Sequence, residues 1–326
     1  MHSGRAEPTP PQSWFGASVL VVGDLMLDSY LRGAASRISP EAPVPILEVD
    51  EETNLPGGAA NVAANIATLG GRPILCGVTG EDEAAAILTT AAAALGIDCS
   101  AILPISRRPT TRKTRLMGGR QQLLRMDREH TQALDEADAG ELIRRVSALV
   151  GSVRAVVVSD YAKGVVSLPL MDALRAAARK TETPLLVDPK PANGAWFSEV
   201  TLLTPNAAEA SQMCVHLGLG CTRVEEAGVA LCRRLRSSVL ITRGEHGMAL
   251  FEDGKEMLTL PTRARAVYDV AGAGDTVMAA LALGAASGLT LEASARIANA
   301  AAGLAVEKVG TATVTAKELF DDTAPH

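Results

Sequence analysis

The sequence predicts an α/β protein whose central sheet is mostly parallel and covered by helices, and three observations carry that prediction. Short apolar runs recur along the chain, at 18–23, 73–78, 153–158, 184–187, 200–203 and 239–241. Each is strand-length and predominantly apolar, the pattern of a strand buried on both faces. Amphipathic segments near 136–150, 168–181, 206–217 and 222–236 alternate with the later runs, which implies right-handed β-α-β units. Several runs end in polar residues: Asp24, Ser159-Asp160, Asp188-Pro-Lys190, Thr204-Pro-Asn206 and Thr242-Arg-Gly244. The carboxyl ends of strands are where open α/β sheets bind ligands.

Taken in order, residues 1–17 contain Ser and Pro but no apolar core segment. They are no signal peptide and read as a flexible extension, leaving 18–326 as one domain. Residues 29–55 change character. Ile38-Ser-Pro-Glu-Ala-Pro-Val-Pro-Ile46 and Leu47-Glu-Val-Asp50 mix prolines with alternating apolar residues, and proline belongs on sheet edges. Residues 98–126 look similar and concentrate Arg107, Arg108, Arg112, Lys113, Arg115, Arg120 and Arg125. Both stretches read as strands of a small β-sheet lid added to the body. A charge run is usually a solvated face, but in an acidic protein it also offers a grip for phosphate.

Between the lid stretches, Gly57-Gly58-Ala-Ala-Asn61 opens a helix to Leu69. Val62, Ile66 and Leu69 share one face; Asn61 and Asn65 share another. Two aligned amides suit a polar ligand, and a small-residue helix packed tightly on the sheet is the rival reading. Glu81-Asp-Glu opens a helix to Gly96, with acids at its N-terminus as the dipole prefers. Met248–Phe251 and Met257–Leu260 flank Glu252-Asp-Gly254 as a hairpin. A last helix runs from about Leu291 to Lys308 and ends at Gly310-Thr311.

The chemistry concentrates at Asp269-Val-Ala-Gly272-Ala273-Gly274-Asp275-Thr276, followed by an alanine-rich apolar run. A glycine loop feeding a buried helix offers free amides to an anion. A carboxylate beside that anion hole suits phosphoryl transfer to a hydroxyl, with Asp275 accepting the proton. The rival is an ordinary helix N-terminus using Asp for its dipole. Asn206-Ala207-Ala208-Glu209 is either a capping box or an acid holding a magnesium-bound water. Thr242, Gly244 and Gly247 suit backbone approach to phosphates, with a plain turn as rival; His246 reads as a surface turn residue. There is no Gly-x-x-x-x-Gly-Lys-Ser/Thr loop and no Gly-x-Gly-x-x-Gly after the first strand, which disfavours a P-loop and a dinucleotide Rossmann site.

Composition excludes other classes. A net charge of −6 argues against a nucleic-acid binder. Five cysteines, odd in number and without Cys-x-x-Cys, point to reduced thiols in a cytoplasmic protein rather than to disulfides or zinc. No run reaches the ~18 apolar residues of a membrane span.

Taken together these stretches resemble the ribokinase-like (PfkB) sugar kinase family, over nearly the whole chain after residue 17. The resemblance implies a three-layer α/β/α ribokinase-like fold with a mostly parallel central sheet and a small β-sheet lid, through which such kinases pair into a homodimer. It implies ATP and Mg2+ as cofactors, with K+ a further candidate near Asp269; the loop departs from the usual signature at Val270-Ala271, where Thr-Thr or Thr-Val is common. By this resemblance Asp275 is the base, and Gly272, Ala273 and Gly274 shape the anion hole. Asn206 and Glu209 serve the magnesium and phosphate network, with Glu209 acting on the metal through water. Thr242, Gly244, Gly247 and Asn299 lie along ATP. Asp24, Asp28, Gly57, Gly58, Asn61 and Asn65 lie near the sugar.

Within the family, Val22-Gly-Asp-Leu-Met-Leu-Asp28, Ile38-Ser-Pro-Glu-Ala-Pro-Val-Pro45, Gln121-Gln-Leu-Leu-Arg-Met-Asp127, Ser159-Asp-Tyr-Ala-Lys-Gly164 and Asp188-Pro-Lys190 resemble the heptose-7-phosphate kinase branch. That branch phosphorylates O1 of D-glycero-β-D-manno-heptose 7-phosphate on the route to the lipopolysaccharide inner core. A sugar phosphate needs cations, for which Arg112, Lys113, Lys163 and Lys190 are candidates. The chain ends near where the kinase ends in this branch, so the expectation is the separate kinase form. The alternatives are another sugar or nucleoside kinase of the family and a non-catalytic sugar- or nucleotide-binding protein on the same fold.

Overall fold

The computed structural model describes residues 10–321 apart from 120, 265, 309, 311 and 312. In chain order, β1 (Ser18–Gly23) leads into two long strands, β2 (Leu25–Ile38) and β3 (Pro45–Gly58). Next come α1 (Ala59–Thr68), β4 (Arg72–Cys76), β5 (Val78–Thr79), α2 (Glu83–Ala94), β6 (Leu103–Pro104), β7 (Thr111–Gly118) and β8 (Gln121–Arg128). α3 (Glu136–Leu149), β9 (Ala155–Ser159), α4 (Leu168–Thr181), β10 (Leu185–Asp188), β11 (Leu202–Leu203) and α5 (Ala207–His216) follow. The chain closes with α6 (Val224–Leu235), β12 (Ser238–Thr242), β13 (Met248–Phe251), β14 (Leu258–Leu260), α7 (Ala273–Ala286), α8 (Leu291–Val306) and α9 (Ala316–Asp321).

Eight strands form the central sheet in the order β14-β13-β12-β11-β10-β9-β1-β4. It is parallel from β12 to β4; β13 and β14 add antiparallel at one edge. Alternate residues of β1 feed two separate cores. Val19 and Val21 face α1, α2, α7 and α8, whereas Leu20 and Val22 face α3, α4, α5 and α6. That period-two split of an all-apolar strand makes the three layers.

A second sheet, β3-β2-β7-β8, stands apart from the body as the lid. Its residues differ from the expected 29–55 and 98–126: it takes 25–58 and 111–128. Residues 98–110 belong to the body instead, because Ile102, Leu103 and Ile105 are buried there and β6 pairs with β5. The N-terminal expectation also needs correction. Residues 12–14 form a 3-10 turn, Trp14 is fully buried, and its Nε1 donates to Leu69 O at 2.8 Å. Its ring meets Phe320 of α9 edge-on at 5.7 Å. Burying an indole outweighs the loss of chain freedom there; residues 1–9 lie outside the described residues. α2 starts at Glu83 rather than Glu81 because Asp82 is its N-cap, accepting from Ala85 N at 3.0 Å. α8 is not the last helix, since α9 follows it; Thr311 of the expected end is outside the described residues.

α7 is apolar all round and buried from Asp275 to Gly284, so it lies inside the molecule between α1, α8 and the sheet. At Gly284 it crosses α8 so closely that a Cβ would sit 2.3 Å from Ser294 Oγ. The tight crossing holds the N-terminus of α7 against the carboxyl ends of the strands.

Candidate active site

A cavity of about 780 Å3 opens at the carboxyl ends of β10, β11 and β12, roofed by the N-terminus of α7 and one side of α8. Gly272, at φ +79°, is the N-cap of α7, which puts Ala273, Gly274 and Asp275 in its first turn. First-turn amides lack intrahelical acceptors; that of Ala273 makes a long bond to Val270 O at 3.3 Å. All four residues line the cavity.

Asp275 is 7% exposed, and both of its oxygens are held. Asn61 Nδ2 donates to Oδ2 at 2.6 Å, and the Tyr161 hydroxyl donates to Oδ1 at 2.8 Å. Burial pushes the carboxyl up to about 6, despite those two donors; Asp28 adds to the rise and Lys190 opposes it. Asp188 is pushed up to about 8 by burial and then by the charges of Asp275 and Glu209. Tyr161 is driven well above the ordinary phenol range by burial and by Asp275, so it stays a neutral donor. Lys190 Nζ lies 2.5 Å from Glu209 Oε1 and 5.4 Å from the centre of the Tyr161 ring. Burial lowers the pKa of this ammonium, but Glu209, Asp188 and Asp160 outweigh it and hold the proton more firmly than usual.

Asn206 and Glu209 form the capping box and also face the cavity. The capping box is complete, with Glu209 N donating to Asn206 Oδ1 at 2.9 Å and Asn206 N to Glu209 Oε2 at 3.0 Å. Both side chains also line the cavity. Ala207 and Ala208 do not: Ala207 packs on the core and Ala208 faces outward, because the turn of α5 carries them away. Thr242, Gly244, Gly247 and Asn299 line the far end, where Asn299 Nδ2 donates to Pro261 O at 2.7 Å.

On the other side of Asp275, the expected sugar residues divide. Asp24 corrects the expectation. It is buried, and its carboxylate accepts from the amides of Tyr161, Lys163 and Val165 at 2.7, 3.1 and 3.2 Å. It is a clamp for the 161–165 loop, buried away from the cavity at 1% exposure. Asn65 is likewise internal, donating to Asn61 O at 2.9 Å and accepting from Thr276 Oγ1 at 2.8 Å. It ties α1 to α7 and orients Asn61 on the way. Gly57, next to last in β3, packs against Asp28, and Gly58, at φ +58°, is the N-cap of α1. Asp28 pairs with Arg115 at 2.6 Å.

The expected cations are engaged with acids. Arg112 pairs with Glu52, Lys113 with Asp127 and Glu129, Lys163 with Glu129, and Lys190 with Glu209. Of the four, only Lys190 lines the cavity. Arg107 pairs with Asp135 and Asp138, and the buried Arg108 caps the carbonyls of His130, Gln132 and Lys163. Arg120 is outside the described residues. Tyr161 and Asp188 line the cavity as well; the motifs at 159–164 and 188–190 contained them, but neither was expected as a site residue. Their signal was position: both sit at carboxyl ends of parallel strands.

The arrangement therefore holds a buried carboxylate pushed up to about 6 beside a helix N-terminus and an ammonium, in a cavity of about 780 Å3. That is equipment for removing a hydroxyl proton next to an anion. Among the described residues no group of three or more acids, histidines or cysteines is placed to hold a metal directly, and no helix is long and apolar enough to cross a membrane.

The pfkB family carbohydrate kinase profile matches residues 17–318. The chain is 47% identical over 307 residues to a bifunctional protein HldE of Azorhizobium caulinodans, covering 93% of this chain and 64% of that protein. A bifunctional protein HldE of Vibrio parahaemolyticus is 44% identical over 306 residues, covering 94% and 63%. The chain thus spans less than two thirds of the length of these relatives. Among solved structures it resembles Arabidopsis thaliana ribokinase complexed with ribose and ATP, with a TM-score of 0.72 at 22% identity over 96% of this chain and 100% of that one. Escherichia coli phosphofructokinase-2 in complex with potassium gives a TM-score of 0.73 at 21% identity over 95% and 98%. The profile spans nearly the whole chain, and the chain belongs to the pfkB family of carbohydrate kinases, with its ribokinase-like α/β fold.

Proposed function

We propose that this chain transfers the γ-phosphoryl group of ATP to O1 of D-glycero-β-D-manno-heptose 7-phosphate, forming the 1,7-bisphosphate. The observation that carries the reaction is Asp275, a buried carboxylate titrating near 6 at the N-terminus of a buried helix, inside a cavity of about 780 Å3. What supports the heptose branch is the set of motifs at 22–28, 121–127, 159–164 and 188–190, together with the 44–47% identity to bifunctional proteins HldE.

The nucleotide lies along Thr242, Gly244, Gly247 and Asn299, with its phosphates toward α7. The sugar lies toward Asn61 and Asp28, under the lid. Asp275 accepts the proton of the attacking hydroxyl while Asn61 and Tyr161 keep its carboxylate aimed. The first-turn amides of α7 and the Lys190 ammonium face the phosphoryl oxygens. Lid closure keeps water from competing with the sugar. Glu209 and Asp188 are hard oxygen donors that repel one another, which fits a magnesium ion carried by nucleotide phosphates and held through water rather than by direct ligation. Magnesium, when bound, neutralises charge on the phosphate oxygens. Asp269 ties its own loop to Gly310 N at 3.0 Å and to Ala271 N at 2.9 Å, and the proposed potassium site lies in this turn. The protein is proposed to act in the cytoplasm as a homodimer joined through the lid.

The test is ATP consumption by the purified protein with magnesium, offering heptose 7-phosphate, fructose 6-phosphate, fructose 1-phosphate, ribose and adenosine in parallel. Turnover on heptose 7-phosphate alone is the expected result. Turnover on a different acceptor would discard the substrate while keeping the mechanism, and silence on all would discard both.

A further inference from the structure

One side chain in the cavity touches both the base and the ammonium. The Tyr161 hydroxyl donates to Asp275 Oδ1 at 2.8 Å, and its ring lies 5.4 Å beneath Lys190 Nζ. Tyr161 is itself placed by Asp24, which accepts its backbone N–H at 2.7 Å, and by the turn in which Asp160 accepts from Ala162 N at 2.8 Å. Asp160 also accepts from Lys190 N at 3.2 Å and Asn193 Nδ2 at 2.9 Å, so the loops after β9 and β10 are tied together. Two buried acids thus hold Tyr161 and Lys190 in one frame, and Tyr161 passes that frame on to Asp275, which comes from a different element.

We propose that Tyr161 is a positioning residue for phosphoryl transfer, setting through its hydroxyl and its ring face the separation between the base Asp275 and the phosphate-facing Lys190. It acts through these two groups rather than on the substrate. The inference rests on Asp275 being the base. Asn61, the other donor, reaches Asp275 from α1 and has no contact with Lys190 of this kind, so it cannot set that separation. Among the described residues, the titratable groups acting on Asp275 include Asp28 on β2, Asp188 on β10 and Lys190. Two of the three are acids, so a neutral donor at Oδ1 is what favours the carboxylate there.

Two variants separate the hydroxyl from the ring. Tyr161→Phe keeps the ring and removes the donor. Losing a hydrogen bond to a charged group should move the Asp275 midpoint up by roughly one pH unit or more. This is read directly by carboxyl 13C NMR titration of the whole protein, with no substrate present. The acidic limb of kcat/KM should move by the same amount, plateau turnover should fall roughly 10-fold, and KM for ATP should stay within about twofold. Tyr161→Leu also removes the ring face, and should lose a further ~3- to 10-fold in turnover as Lys190 loses its support. An Asp275 midpoint unmoved in Tyr161→Phe would overturn the hydroxyl's role. Equal turnover in the Phe and Leu variants would overturn the ring's role. A midpoint that moves while the kinetic limb stays put would overturn Asp275 as the base and the proposal with it. Because the NMR titration needs no acceptor, a wrong sugar assignment cannot be mistaken for failure of this inference.

Discussion

Asp275 is charged at a cost to the fold. Its ordinary value is near 4 and its folded value about 6, so between those pH values the native state holds a proton that the unfolded chain has released. Stability therefore falls as pH rises from about 4 to about 6, and Asp188, pushed up to about 8, extends the decline. For Asp275 alone the loss at pH 8 is about 3 kcal/mol. Asp275→Asn removes that charge. In urea unfolding it should be more stable than the wild type at pH 8, with the gap closing toward pH 4. Its turnover should fall on the order of 100-fold or more with ATP binding largely kept. In the wild type kcat/KM should rise with pH through about 6, as the base loses its proton. A flat profile between pH 5 and 7 would mean that another group accepts the proton.

At the scale of the element, α7 has two glycines with different duties. Gly284 stands where α7 meets α8, and a methyl there would lie 2.3 Å from Ser294 Oγ and 2.7 Å from its Cβ. Gly284→Ala should cost about 1–3 kcal/mol by forcing the helices apart. A Cβ on Gly274 would meet nothing within 4 Å, yet Gly274 lines the cavity at the helix N-terminus. Gly274→Ala should keep or slightly raise the thermal midpoint, as alanine does in a helix. It should lower kcat/KM for ATP roughly 10-fold or more, by placing a methyl where the phosphates approach. Equal activity in Gly274→Ala and wild type would remove the first turn from the anion site.

For the molecule as a whole, the lid is the part most exposed to choice of partner. Ile38, Val44, Val49, Leu124 and Met126 are all about half or more exposed on it. A sheet with bare edges and apolar side chains invites a covering surface. Sedimentation should give a dimer, and Leu124→Glu should shift it toward monomer while leaving the thermal midpoint of the body within about 2 °C, since surface changes perturb a fold little. A monomeric wild type would discard the lid-to-lid pairing.

Much of this was legible in the residues. All-apolar runs such as Val19–Val22 suit burial on both faces, so a mostly parallel sheet covered by helices was legible in the hydrophobic pattern, whereas the three-layer ribokinase-like form was implied by the family resemblance. Gly272-Ala273-Gly274-Asp275 announced its helix start because small residues, an acid and an apolar run have a local meaning. Pattern misled where a residue's duty depends on distant partners. Ile102 and Ile105 fall in the stretch expected for the lid but are buried in the body, and Trp14 sits in a segment without periodicity yet anchors on Leu69 and Phe320. Asp24 and Asn65 carry the same polar chemistry as Asn61. Only the tertiary structure decides that Asp24 serves loop amides, Asn65 serves Thr276, and Asn61 reaches Asp275, 214 residues away in sequence. The sequence by itself determined which elements form and which carboxylate stands at the helix start, because those depend on neighbours along the chain. The tertiary structure decided which polar groups are already satisfied and which remain for a ligand, because a buried hydrogen bond is settled by whatever packs opposite it.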